Sequence, residues 1–510
     1  MEFLDEIIKA TNDFLEAMPK QIRKGYGQFF TSKETALFMS EMYDLSFLGH
    51  EVSVLDPGAG SGILSIALID RLAKASGITK IKLTCYETDS NIIGLLASNL
   101  NRVKEYYPCS FEYQIIQDNY ILSQSDEYNN TLLADACPKK YDIIISNPPY
   151  MKIARDAPEA LAMPDLCHGA PNLYFLFLGM SLFNLKDDHE LVYIIPRSWT
   201  SGAYFKRFRE NLFSKSSIEA IHVFESRDKV FDNENVLQET MIILIRKTQA
   251  HVDCVRITSS NSNRKFNHLT TLLVPYDCVV SGRDHYVFLP TTKQDVESIS
   301  AVNKFNSTMP DLGLRMKTGI VVDFREKDSL RSDAGDDVVP LFYSQHIRNG
   351  RVNHNPSGKN MDWLSTSKQG LLQKNKNYIF CKRFTAKEEK RRLQLGIFLS
   401  NDFKQYKVIG TQNKINFIDM SDGSDLDKDL VYGLYVVFNS TLYDQYYRIM
   451  NGSTQVNSTE MNSIPVPPLD IMRDMGKQLI ASGDLSTENC DAILKETVYE
   501  QGRRYKKISG

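Results

Sequence analysis

The chain reads as an α/β protein built on a doubly wound sheet, followed by a second domain of α+β character. Three stretches predict this. Val52-Ser53-Val54-Leu55-Asp56 is a short apolar strand that runs into a Gly-rich turn, Pro57-Gly58-Ala59-Gly60-Ser61-Gly62, and then a helical pattern. Ile81 to Tyr86 is a second strand, closed by Glu87-Thr88-Asp89. Ile143-Ile144-Ile145-Ser146 is a third, and it stops at Asn147-Pro148-Pro149-Tyr150. Short apolar runs bounded by turn residues read as buried strands. Strands alternating with helices build parallel sheets, and open sheets of that kind bind ligands at the carboxyl ends of their strands.

Composition bounds the function classes. A chain of 510 residues, 42% hydrophobic and 24% charged, is long enough for two or three domains with a sizeable core. A formal net charge of −3 does not announce a nucleic-acid binder, so any DNA site must come from local Lys and Arg clusters. The eight Cys show no CxxC pair and no zinc spacing, which fits reduced thiols in a cytoplasmic protein and predicts no metal. The acidic start, Met1 to Glu6, lacks the apolar core of a signal peptide. No run nears the roughly 18 apolar residues that cross a bilayer, so no membrane partner is expected.

Residues 1–24 form a predicted N-terminal helix, with Phe3, Leu4, Ile7, Ile8, Phe14, Leu15 and Met18 near helical spacing. Residues 25–250 form the first domain. It opens on an aromatic, Gly-rich loop, Gly25 to Phe30, before Thr31 or Ser32 as N-cap of a helix from Ala36 to Met42. Such a helix N-terminus favours an anion such as a carboxylate. In the turn after the first strand, Gly58 and Gly60 permit close approach of a ligand to the backbone. Asp56 before them suits a cationic or amine-bearing ligand better than a pyrophosphate. Glu87 stands where ribose hydroxyls are bound in doubly wound folds. Asp118 ends a further strand, Phe111 to Ile116.

The loop Asn147 to Tyr150 carries the chemistry. Two prolines cannot continue a ladder, so the loop is rigid. The Asn147 side-chain oxygen and the Pro148 carbonyl form a pair of acceptors for an –NH2 group. Tyr150 offers a flat face to a planar ring. A heterocycle with an exocyclic amine fits all three, and adenine is one.

As a set, these stretches resemble the gamma group of DNA adenine-N6 methyltransferases of type II restriction–modification systems, which use S-adenosylmethionine (SAM). The resemblance covers residues 25–247. It rests on N-P-P-Y at 147–150, on D-P-G-A-G-S-G from Asp56, on the acid Glu87, and on the loop at 25–34, which lies before the rest as in the gamma order. It implies a Rossmann-like methyltransferase domain with SAM as methyl donor and double-stranded DNA as substrate. Phe29 and Thr31 would hold the methionine end of SAM, with Asp56, Gly58 and Gly60 in the Gly-rich turn. Glu87 would take the ribose, Thr88 would flank the adenine, Asp118 would accept from its amine, and Phe177 would pack on its ring. Phe231, in the stretch linking strands 218–224 and 239–245, would stack on the target base opposite Tyr150. A basic helix, Tyr204 to Phe213, offers Lys206, Arg207 and Arg209 as a solvated face or as phosphate contacts.

Residues 251–300 read as a connecting segment and 301–510 as a DNA target-recognition domain. Lys382, Arg383 and Phe384, with Lys387, Lys390, Arg391 and Arg392 beyond, interleave cations with an aromatic, as phosphate contact plus stacking requires. Asn451 to Ser458 is small, polar and amide-rich, with Thr454, Gln455 and Asn457 able to reach base edges or phosphates. The run followed by Ile464-Pro465-Val466-Pro467 resembles the end of target-recognition domains in this group. Alternatives stay open. N-P-P-Y also occurs in glutamine-N5 methyltransferases acting on release factors, and a DNA-binding specificity component with a vestigial methyltransferase fold would keep the same outline. N-P-P-Y, rather than an S-P-P motif, favours adenine over cytosine-N4. No extra N-terminal domain is long enough for a nuclease, so the expected setting is either a separately encoded restriction endonuclease as partner or an orphan epigenetic role.

Overall fold

The computed structural model describes residues 2–17, 31–108, 110–130, 139–224, 240–260, 266, 269–356, 361–386, 388–451 and 454–496. They divide into two units: 1–200 with 204–292, and 201–203 with 293–510.

The first unit is organised by one nine-stranded sheet. Its strands are β1 (Glu51–Asp56), β2 (Lys80–Tyr86), β3 (Phe111–Ile116), β4 (Tyr141–Ser146), β5 (Leu185–Pro196), β6 (Ser217–Phe224), β7 (Thr240–Arg246), β8 (Cys254–Ser260) and β9 (Thr270–Pro275). The order is β3-β2-β1-β4-β5-β7-β6-β8-β9. The run from β3 to β5 is parallel, while β7 lies antiparallel to both β5 and β6. The connections from β1 lead outward to β2 and β3, and the chain then returns to place β4 on the other side of β1. The carboxyl ends of β1 and β4 therefore flank the point where the strand order reverses.

Burial explains why the strands are uniformly apolar. Val52, Val54, Ile143 and Ile145 join one core cluster with Ile66, Leu68 and Ile69 of helix Ile63–Lys74 and Leu96, Leu100 and Val103 of helix Ser90–Tyr106. The alternate residues Leu55 and Ile144 are equally buried, so the opposite face is covered too. Leu4 and Ile7 of the N-terminal helix, Glu2–Ala17, belong to the same cluster, so that helix is part of the first unit.

The segment 251–300, expected as a connection with some strands, carries β8 and β9. β8 pairs parallel to β6 and β9 antiparallel to β8, extending the sheet. Val255, Ile257 and Val274 are buried there, which places 251–292 with the first unit. The basic helix Lys206–Phe213 is not a solvated face throughout. Arg209 is fully buried, donating to the carbonyls of Trp199 and Asp284. Lys206 pairs with Asp284 at 2.7 Å.

The second unit is α+β. A six-stranded sheet includes Leu314–Thr318, Ile415–Met420, Tyr378–Lys382 and Leu395–Phe398 as neighbours in that order. A five-stranded sheet accompanies it. Helices Lys428–Asn439 and Leu469–Ser482 pack closely, because a Cβ at Gly433 would stand 1.8 Å from the Met472 carbonyl oxygen. Among the described residues, no helix is long and apolar enough to cross a membrane.

Candidate active site

At the carboxyl ends of β1, β2 and β4 the first unit holds a cavity of about 290 Å3. Local chain chemistry builds each wall. Gly60 turns with φ 53°, and Gly62 with φ 84° caps the helix that follows. The Ala59 N–H donates to the Tyr86 carbonyl at 3.0 Å, tying the Gly-rich turn to the end of β2. A Cβ at Gly58 would lie 3.6 Å from the Phe177 ring and 4.0 Å from the Asn147 carbonyl oxygen. Three stretches far apart in sequence thus converge within one side chain's width.

Glu87 organises the floor. Its Oε2 accepts from the Gly60 N–H at 2.8 Å, and its Oε1 accepts from Thr88 and Asp89 N–H at 2.8 and 2.9 Å. Burial pushes its carboxyl above the usual range, opposed by those N–H donors. A carboxylate has about four acceptor sites, so capacity for further donors remains. Asp118 accepts from the Asn119 N–H, and the Asn119 amide donates to Glu159 at 2.8 Å. Among the described residues the lining therefore contains the carboxylates Glu87, Asp118 and Glu159 and no Lys, Arg or His. Such a site repels phosphates and suits a donor-rich, cationic ligand.

The site residues of the sequence reading divide clearly. Thr31, Gly58, Gly60, Glu87, Thr88, Asp118, Asn147, Pro148 and Phe177 all line the cavity. Asp56 does not. It is fully buried beneath the turn, its Oδ2 accepts from Ser65 at 2.6 Å, and burial pushes its carboxyl up to about 7. Tyr150 also lies outside the lining. Its hydroxyl donates to the Ile194 carbonyl at 2.9 Å, and its ring meets Tyr174 edge-on at 6.4 Å. Phe29 and Phe231 lie outside the described residues.

Ser32, not Thr31, caps helix Lys33–Glu41 by accepting from the Thr35 N–H. That releases the Thr31 hydroxyl for another task. It accepts from the Asn147 Nδ2 at 3.2 Å, which orients the amide at the end of β4.

Sequence reasoning missed an aromatic wall. Tyr120 packs on Tyr86 at 5.1 Å and on Phe177 at 5.4 Å, and all three line the cavity with Glu159 and Met151. Tyr120 follows Asp118 by two residues, so its position after the third strand was the available signal.

In the second unit the two stretches expected to meet DNA do meet one another. Phe384 bridges Gln455 antiparallel, and the Thr385 N–H donates to the Thr454 carbonyl at 3.1 Å. Arg383 spans from the Asn413 carbonyl at 3.0 Å to the Gln455 Oε1 at 3.3 Å. Lys382 is half-buried at its strand end, and the Asn457 N–H donates to the Tyr447 hydroxyl at 3.0 Å. Arg392 departs from expectation: it is buried, donates to Thr385 at 3.2 Å and stands over the Tyr447 ring. Arg391 donates to the Ser440 carbonyl. These two cations hold the fold. Lys387 lies outside the described residues.

Comparison with known proteins decides the family. Type II methyltransferase M.PstI of Providencia stuartii is 32% identical over 97% of this chain and 96% of its own length. The chain belongs to the type II DNA methyltransferases of restriction–modification. For this methyltransferase, type II methyltransferase M.BsuBI of Bacillus subtilis is a second relative, 34% identical over 89% of the chain and 90% of its own length. The family described as Eco57I restriction-modification methylase matches residues 65–231. A release factor glutamine methyltransferase of Fusobacterium nucleatum is 28% identical over 32% of the methyltransferase and 40% of its own length. The 65–231 match begins inside the helix after the Gly-rich turn and takes in the N-P-P-Y loop.

Proposed function

We propose that the methyltransferase transfers a methyl group from SAM to the N6 amine of an adenine flipped out of double-stranded DNA. The observation that carries this is the Thr31–Asn147 hydrogen bond. With Nδ2 committed to Thr31, the amide is held as an acceptor beside the Pro148 carbonyl, at the edge of a cavity lined by carboxylates and aromatics.

The residues fit SAM. Among the described residues the lining has no cation to attract a phosphate, and Glu87 and Asp118 would accept from ribose hydroxyls and an adenine amine. Tyr86, Tyr120 and Phe177 supply apolar ring contact. SAM brings a methyl group on a sulfonium, which is already a good leaving group.

The chain's own residues do the rest. A base within a duplex is unreachable, so it must leave the stack. Tyr150, fixed by its bond to Ile194, would offer a ring face to the extruded base, and the family resemblance assigns the second stacking ring to Phe231. The adenine amine is a poor nucleophile because its lone pair is delocalised into the ring. Asn147 Oδ1 and the Pro148 carbonyl would accept its two hydrogens and turn the lone pair outward. That pair forms the new N–C bond while the S–C pair stays on sulfur, and one N6 proton is lost to water. Positioning and fixed dipoles thus supply most of the catalysis. Lys382, Arg383, Thr454, Gln455 and Asn457 would contact the duplex from the second unit. In a restriction–modification setting the mark protects DNA from a separately encoded endonuclease.

Single-molecule sequencing of DNA from cells expressing the chain, against cells expressing Asn147→Ala, tests this. One adenine-N6-methylated motif, absent in the variant, is the expected result. The partial match to a release factor glutamine methyltransferase supports a second reading, methylation of a protein glutamine amide. It would be favoured if DNA stays unmarked while a release factor is methylated by purified protein. SAM binding without any transfer would point instead to a non-catalytic specificity component.

A further inference from the structure

We propose that Phe384 is a stacking wedge for duplex DNA, an aromatic ring that enters the base stack beside the bases met by Thr454 to Asn457. This rests on the reading that the chain methylates double-stranded DNA.

Phe384 is 46% exposed, although Cys381 and Thr385 on the same stretch are buried. The ring does not stand on a loose loop tip. The Val456 N–H donates to the Arg383 carbonyl at 2.7 Å, and the Thr385 N–H donates to the Thr454 carbonyl at 3.1 Å. Phe384 and Gln455 are thereby antiparallel bridge partners. From the other side, the Arg383 N–H donates to the Lys414 carbonyl at 2.9 Å. Three segments converge on the backbone that carries the ring. The Arg383 guanidinium lies 5.5 Å from the ring centroid while holding Asn413 and Gln455.

A large apolar ring fixed in solvent on a stiff base covers no core. Arg383 and Lys382 precede it in the chain, and the Lys414 carbonyl is bonded to the Arg383 N–H. Cations draw phosphates, and apolar side chains among them insert between base steps and unstack them. Every base has a π face, so such a wedge adds affinity and deforms the duplex without itself reading sequence. The amides beside it are left to read the edges.

The test uses the full chain and a duplex carrying the motif found by sequencing, with 2-aminopurine placed at successive positions of the motif. Apart from the rise at the flipped adenine itself, the wild type is expected to raise fluorescence several-fold at one further step. Phe384→Ala is expected to weaken duplex binding by about tenfold and to abolish that rise, with the thermal midpoint and SAM affinity unchanged. Phe384→Trp is expected to restore binding, with tryptophan emission quenched by the duplex. If Phe384→Ala binds, unstacks and methylates like the wild type, the wedge is refuted while DNA methylation stands. If Phe384→Trp fails to rescue a folded protein, stacking is refuted as the cause. A wild type that binds no duplex brings down the underlying reading as well.

Discussion

Thr31 offers the sharpest separation of two roles. By resemblance it belongs to the segment that holds the methionine end of SAM. In the structure its hydroxyl accepts from Asn147 at 3.2 Å. Thr31→Val replaces that hydroxyl with a methyl group of similar size and removes the acceptor. Asn147 Nδ2 then loses this acceptor, and the bond that fixes the amide oxygen toward the target amine is removed. A neutral hydrogen bond of this kind contributes about 0.5–1.5 kcal/mol net. Converted to rate, that is roughly a two- to tenfold fall in kcat. The assay is steady-state transfer of labelled methyl to the motif duplex, with KM for SAM measured separately. The expected result is a lower kcat with KM for SAM little changed, and Thr31→Ser close to wild type. A raised KM for SAM with kcat intact would refute the positioning argument and return Thr31 to cofactor binding alone.

Other outcomes follow from the same geometry. Glu87→Gln keeps one acceptor oxygen but turns an NH2 toward backbone N–H groups that now donate to it. SAM affinity should fall by about tenfold or more, read by calorimetry, with stability lower by about 1–3 kcal/mol. Burial raises the Asp56 carboxyl to about 7, so the native state holds a proton that the unfolded chain has released between about pH 4 and 7. Stability from this group is therefore full at low pH and declines as pH rises through that window. Thermal midpoints measured from pH 5 to 8 should fall less for Asp56→Asn than for wild type, and equal slopes would contradict the assignment. In the second unit, a Cβ at Gly476 would stand 1.8 Å from the Asp429 carbonyl oxygen. Gly476→Ala should force the two helices apart and cost about 3 kcal/mol or more in denaturant unfolding.

Much of the catalytic unit was legible in the chain because its signals are local. An apolar run ending in glycines, an acid or two prolines states where a strand stops and what stands at its end. β1 to β4 and the cavity residues Gly58, Glu87 and Asn147 were read this way, while Thr88, Asp118 and Phe177 came from the family resemblance. The failures share a cause. Arg209 and Arg392 look like surface cations by spacing, but carbonyl, hydroxyl and ring partners contributed by distant elements absorb them. Residues 251–300 read as a connection with some strands, and only the pairing of β8 with β6 and of β9 with β8 makes those strands part of the first sheet.

The sequence by itself determined the chemistry on offer: an amide and a proline carbonyl as acceptors, acids at strand ends, and glycines where a ligand approaches. Those are properties of residue type and immediate neighbours, and they survive without coordinates. Tertiary structure alone decided orientation and company. It chose Ser32 over Thr31 as the helix cap, turned Thr31 onto Asn147, sank Asp56 beneath the floor, and raised Tyr120 into the wall. It also joined Arg383 to Gln455 across 72 positions of chain. Hydrogen bonds and burial depend on which distant groups arrive within about 3 Å, and chain order does not encode that distance one residue at a time.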